Sequence, residues 1–149
     1  MDKFNHEGYS DPTTYEALRQ AEKPTREPQK AADILTFDGF RPLVYICSPY
    51  AGDVKLNIAN ARRYSRFALS QKAIPLTPHL LYPQFMDNNN PIEQRFTRYK
   101  INYVLVGKCD ELWVFGSVIS SGMEYEIHVA KKRKMRIRYF TDDLKEVQR

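Results

Sequence analysis

The chain has 149 residues, 42% of them hydrophobic and 13% aromatic, and a net charge of +5. That is the size of one domain with its own core, and the composition excludes a disordered chain and a collagen-like or low-complexity one. The two cysteines, Cys47 and Cys109, give neither a disulfide framework nor a metal-binding spacing, so a reducing, cytoplasmic setting is expected. The absence of a signal-peptide pattern and of any apolar run near 18 residues agrees with that expectation and with no membrane association.

Residues 1–40 read as an N-terminal arm and 41–149 as an α/β domain. In the arm, Ser10-Asp11-Pro12 starts a short helix that runs to about Glu22. Pro24 and Pro28 stop it, and a charged linker leads to Gly39. Strand and helix signals then alternate. Leu43-Val44-Tyr45-Ile46-Cys47 is a first strand, ended by Ser48-Pro49-Tyr50. Asp53 caps a helix with Ile58, Ala61, Ser65, Ala68 and Leu69 on its inner face. Ala73–Thr77 is a second strand, with Pro75 marking an edge. A long loop from Pro78 to about Pro91 precedes a helix over Glu93–Lys108. Glu111–Phe115 is a third strand, closed by Gly116. Ser120 or Ser121 caps a helix that ends near Arg133, and Met135–Phe140 is a fourth strand.

Strands separated by helices imply a Rossmann-like, flavodoxin-like parallel sheet with helices on both faces. Such sheets bind ligands beyond the carboxyl ends of their strands. The residues at those ends are Ser48 and Tyr50, Thr77 and His79, then Ser117, Ser120 and Ser121. The helix opening at Ser120-Ser121-Gly122 offers free N–H groups and a positive dipole end to an anion such as phosphate, although a serine there is also an ordinary cap. No Walker loop and no GxGxxG is present, and no cofactor or metal is expected.

At about 100° per residue, Met123, Ile127 and Ala130 share the apolar face of that helix. Glu126 flanks this face, and Glu124 lies on the opposite side with His128 and Lys131. Glu126 is therefore the carboxylate to expect in a lined pocket. Taken alone, His79 reads as a structural histidine, and Tyr82, Tyr99 and Tyr103 read as core more readily than as a base-stacking surface. The block Lys131-Lys132-Arg133-Lys134, with Arg136 and Arg138, reads as a solvated helix end rather than a nucleic-acid patch, since it lacks interleaved aromatics for stacking.

Three blocks carry a family resemblance: Val44–Tyr50, Cys109–Gly116, and Ser121-Gly122 with Glu126 and Ala130. Together they resemble the superfamily of nucleoside 2-deoxyribosyltransferases and 2'-deoxynucleoside 5'-phosphate N-hydrolases. They are most similar to its bacterial and phage DUF4406/DUF7768-like members, over about residues 42–140. The resemblance implies N-glycosidic cleavage or transfer on a deoxynucleoside 5'-monophosphate. Glu126 would be the nucleophile and Tyr45 its orienting partner. Nucleotide contacts would come from Ser48, Tyr50, Gly52, Thr77, His79, Gly116, Ser120, Ser121 and Gly122. Ser120 falls where the hydrolases carry a serine near the phosphate, and Thr77 and His79 match a Thr-x-His of that branch. The resemblance also implies a homo-oligomer, to which the aromatic-rich stretch Leu80–Tyr103 is suited.

One position departs from the superfamily. Eight residues before Asp110, where the family carries an aspartate for proton transfer to the base, this chain has Asn102. An asparagine cannot give up a proton at neutral pH. The loop Pro49-Tyr50-Ala51-Gly52 also differs from the glycine- and arginine-containing loop of the hydrolases. The competing expectation is therefore a non-catalytic protein that senses or sequesters a nucleotide.

Overall fold

The computed structural model describes residues 28–149, and the chain divides into two units, 1–36 and 37–149. In the first unit the described part is a short helix, α1 (Pro28–Ile34). Pro28 opens this helix, where the sequence reading has it ending one. A proline suits the first turn of a helix, because the N–H it lacks has no partner there anyway. The helix expected over Pro12–Glu22 lies outside the described residues.

The second unit is built on a five-stranded sheet of order β2-β1-β3-β4-β5. Its strands are β1 (Leu43–Cys47), β2 (Ile74–Leu76), β3 (Glu111–Phe115), β4 (Arg136–Phe140) and β5 (Glu146–Val147). The first four run parallel, and β5 returns antiparallel along β4. This is a mixed α/β sheet of Rossmann-like type. Pro75 sits on the edge strand β2, where its missing N–H interrupts no central ladder. The two-residue β5 is an addition to the four strands expected. Arg138 holds it with a bidentate pair to Glu146 at 2.7 and 2.8 Å.

Alternation along the central strands builds one core on each face. Val44 and Ile46 of β1 join Trp113 and Phe115 of β3 under helix α2 (Val54–Ser70), which contributes Tyr64 and Ala68. Phe115 stacks on Tyr64 at 4.3 Å and on Phe140 at 5.0 Å. Tyr64 was absent from the inner face read from sequence, and Ile58 and Leu69 are only half-buried. Tyr45 and Cys47 point to the other face. There they meet Val106 of α4 (Asn102–Lys108), Cys109 just after it, and Met123, Val129 and Ala130 of α5 (Ser121–Lys132).

The segment from Pro78 to Lys108 is more structured than a loop followed by a helix. Two single 3₁₀ turns, Pro78–Leu80 and Tyr82–Gln84, follow β2. Helix α3 (Pro91–Phe96) begins at Pro91 rather than Glu93, because Asn90 caps it by accepting from the N–H groups of Ile92 and Glu93 at 3.0 and 3.2 Å. Between α3 and α4 the rod winds through a π-helical stretch, Thr97–Ile101. Tyr99 and Tyr103 are exposed on this rod rather than packed in the core.

Candidate functional site

A cleft of about 840 Å³, counting the space that opens to solvent, lies at the carboxyl ends of the strands. Four segments supply its walls. Ser48, Tyr50 and Ala51 follow β1, and the stretch between Pro78 and Asn88 follows β2. Gln94, Thr97, Arg98 and Asn102 come from the α3–α4 rod, and Ser120, Ser121, Gly122, Met123 and Glu126 come from the start of α5. Among the described residues no group of three or more His, Cys, Asp or Glu side chains is gathered as a metal ion would need.

Glu126 lies in this cleft and is only 3% exposed, whereas Glu124 is exposed. The periodicity of α5 explains the difference, since Glu126 follows the buried Met123 by three residues and precedes the buried Ala130 by four. Burial pushes the Glu126 carboxyl up to about 8. The neighbouring Cys47 thiol, Tyr45 hydroxyl and Arg98 guanidinium favour its ionised form and only partly offset that rise. Tyr45 is fully buried beneath the site and does not line it. Burial and the Glu126 carboxylate both raise its phenol well above the ordinary range.

The deepest polar groups lack partners. Ser48 Oγ, Asn102 Oδ1 and Glu126 Oε2 are buried and make no hydrogen bond, and the Tyr45 hydroxyl beneath them faces the Glu126 carboxyl. Leaving such groups unsatisfied costs roughly 1–3 kcal/mol each, so their collection in one place suits ordered water or a polar ligand. His79 also lines the cleft, with Nδ1 unpartnered and its ring tilted against Tyr50 at 5.2 Å. Burial lowers His79 to about 4, so the imidazole is neutral at physiological pH.

The N-terminus of α5 also borders the cleft. Ser120 caps it, its Oγ accepting from Met123 N–H at 3.3 Å. The Ser120 hydroxyl proton thus remains available to a ligand. The Arg98 guanidinium lies 3.7–4.0 Å from where a β-carbon on Gly122 would be.

Of the residues anticipated around a nucleotide, Ser48, Tyr50, His79, Asn102, Ser120, Ser121, Gly122 and Glu126 meet in this cleft. Besides Tyr45, three others do not line it. The Thr77 hydroxyl is turned toward α2 and shares a 2.6 Å hydrogen bond with Ser65. Gly52 is exposed in the turn before α2, with φ +93°. Gly116 is buried at the end of β3 with φ +96°, and a side chain there would meet Asp142 Oδ1 at 3.1 Å. The sequence reading missed Arg98, Gln94 and Met86, and it favoured the core for Tyr82, which lines the cleft.

The basic block is distributed differently. Lys131–Lys134 are exposed, while Arg136 pairs with Glu111 at 3.8 Å and Arg138 pairs with Glu146.

The fold and cleft together define a Rossmann-like α/β domain with a candidate site around one buried carboxyl group. The sequence pattern of a domain of unknown function, DUF7768, matches residues 42–140, and the chain belongs to that family. No curated protein matches the chain. No helix among the described residues is long and apolar enough to cross a membrane.

Proposed function

We propose that the cleft binds a deoxynucleoside 5'-monophosphate and that Glu126 attacks its anomeric carbon, as in the nucleoside 2-deoxyribosyltransferase superfamily. The observation that carries this reading is the buried Glu126 carboxyl, whose Oε2 lacks a partner, in one cleft with the equally unpartnered Asn102 Oδ1 and Ser48 Oγ. Cleaving an N-glycosidic bond builds oxocarbenium character on the sugar, which a carboxylate stabilises or traps. In the proposed step a Glu126 oxygen bonds to the anomeric carbon, the C–N bond breaks, and the base leaves with the bonding electrons. Water or an acceptor base then attacks the glycosyl ester and releases Glu126. The departing base takes its proton from water, because Asn102 has none to give. Tyr45 orients the carboxyl from below, and the N–H groups of α5 with the Ser120 hydroxyl face the phosphate.

A second reading, a protein that binds a nucleotide without turnover, is favoured by two observations. Asn102 replaces the superfamily's aspartate, and a carboxyl raised to about 8 is mostly protonated at neutral pH. Thermal melting with a panel of nucleoside monophosphates tests what the two readings share. Ligand at 100 times its dissociation constant should stabilise the fold by ~2.7 kcal/mol, and no shift with any nucleotide at millimolar concentration refutes both.

We further propose that the chain self-associates through the exposed stripe Ile92, Phe96, Tyr99 and Tyr103 on the α3–α4 rod. These residues recur at near-helical spacing on one side of the rod, an unusual amount of apolar surface to leave in water. Light scattering that detects only a 17.5 kDa species at micromolar concentration contradicts it.

A further inference from the structure

Arg98 is half-buried in the cleft wall with no counter-ion and no hydrogen-bond partner among the described residues. Its guanidinium is placed against Gly122 in the first turn of α5, a twelve-residue helix. The N-terminus of a helix carries roughly half a positive charge. Two positive groups therefore lie side by side in the cleft wall, and no carboxylate of the described chain makes an ion pair with Arg98, whose charge reaches Glu126 only at longer range. A structure holds such an arrangement at a cost in free energy unless an anion completes it.

The same cleft supplies an independent sign of a ligand. Glu126 Oε2 and Asn102 Oδ1, on side chains 3% and 6% exposed, line it and have no partner. The unmatched positive groups thus adjoin the buried polar ones, Arg98 one turn before Asn102 and Gly122 one turn before Glu126. A ligand that satisfies both has a polar, hydroxyl-bearing middle and a compact anionic end.

We infer that Arg98 and the N-terminus of α5 form an anion subsite for a phosphate monoester, with Arg98 the residue that makes the cleft select phosphorylated nucleosides over free ones. This rests on the nucleotide reading above for the identity of the rest of the ligand. Arg98 presents several donors in a rigid fork that matches phosphate oxygens. The Ser120 hydroxyl and the free N–H groups of the first turn of α5 lie beside it.

The test is calorimetric titration of the full chain with sodium sulfate, with thymidine and 2'-deoxyguanosine, and with their 5'-monophosphates. It compares wild type with Arg98→Ala, Arg98→Lys and, as a control on the same rod outside the cleft, Arg95→Ala. Wild type should bind sulfate and should prefer a monophosphate to its nucleoside by roughly 10- to 100-fold, the range of charge-assisted hydrogen bonds. Arg98→Ala should lose sulfate binding and bring the preference close to one, while nucleoside affinity changes less than about twofold. Arg98→Lys should keep part of the preference, and Arg95→Ala should match wild type. Unchanged melting temperatures and near-ultraviolet dichroism establish that the variants are folded. If Arg98→Ala keeps the preference, or if wild type shows neither sulfate binding nor a preference, the subsite is refuted. If sulfate binds through Arg98 but no nucleoside or nucleotide binds, the anion subsite stands and the nucleotide reading falls.

Discussion

Replacing Glu126 with glutamine removes a buried ionisable group while keeping the shape of the side chain. In the folded chain Glu126 has its carboxyl raised to about 8, against an ordinary value of 4.5. Between those values the unfolded chain loses this proton and the folded chain keeps it. Stability is therefore greatest below pH 4.5, falls as pH rises toward 8, and levels off above that. Each tenfold difference in proton affinity is worth ~1.4 kcal/mol, so the whole interval amounts to about 5 kcal/mol, comparable with the total stability of a small domain. Glutamine carries no such dependence. It does leave its own amide without partners, at roughly 1–3 kcal/mol, so a comparison at one pH is ambiguous and the slope against pH is not. Urea unfolding of both proteins from pH 4 to pH 9 should show the variant gaining on wild type by several kcal/mol across that range. His79, lowered to about 4, loses its contribution to stability as pH falls from 6.5, and it does so in both proteins alike. Curves for wild type and Glu126→Gln that run parallel refute the claim that burial governs Glu126.

If the cleft turns over substrate, only ionised Glu126 can attack, so kcat/KM for base release should rise about tenfold per pH unit below 8 and level off above it. A rate that falls with rising pH over this range assigns Glu126 a different role. Asn102→Asp supplies the missing proton donor and should accelerate base release by ~10²–10⁴-fold; an unchanged rate excludes proton transfer at that position as the bottleneck. Phe115→Ala empties the space between Tyr64 and Phe140 and should cost ~3–5 kcal/mol in urea unfolding. A cost below about 1 kcal/mol means that the aromatic stack is not what holds α2 on the sheet.

The fold was legible where burial leaves a simple periodic mark. β1 and β3 are central and covered on both faces, so each reads as an unbroken apolar run. β5 has two residues and is held by Arg138 and Glu146, a pairing invisible until the chain turns back at Thr141–Lys145. Helical arithmetic suffices to set Glu126 beside Met123 and Ala130, because all three lie within three turns of one helix. Arg98 could not be found that way. In the sequence it stands among Arg95 and Lys100 and looks like part of a solvated face, and its meaning arises only where the rod crosses Gly122. The π-helical stretch at Thr97–Ile101 shifts the register of that rod and carries no residue pattern that announces it. Tyr99 and Tyr103 illustrate the opposite limit. Their spacing fits one side of a helix, and spacing alone does not say whether that side meets the core or the solvent.

The most direct test of the central claim is release of free base from deoxynucleoside 5'-monophosphates, followed by chromatography under single-turnover conditions with wild type, Glu126→Ala and Glu124→Ala. Slow release by wild type, normal release by Glu124→Ala and none by folded Glu126→Ala is the result expected. Release that survives in Glu126→Ala, or is lost in Glu124→Ala instead, contradicts it.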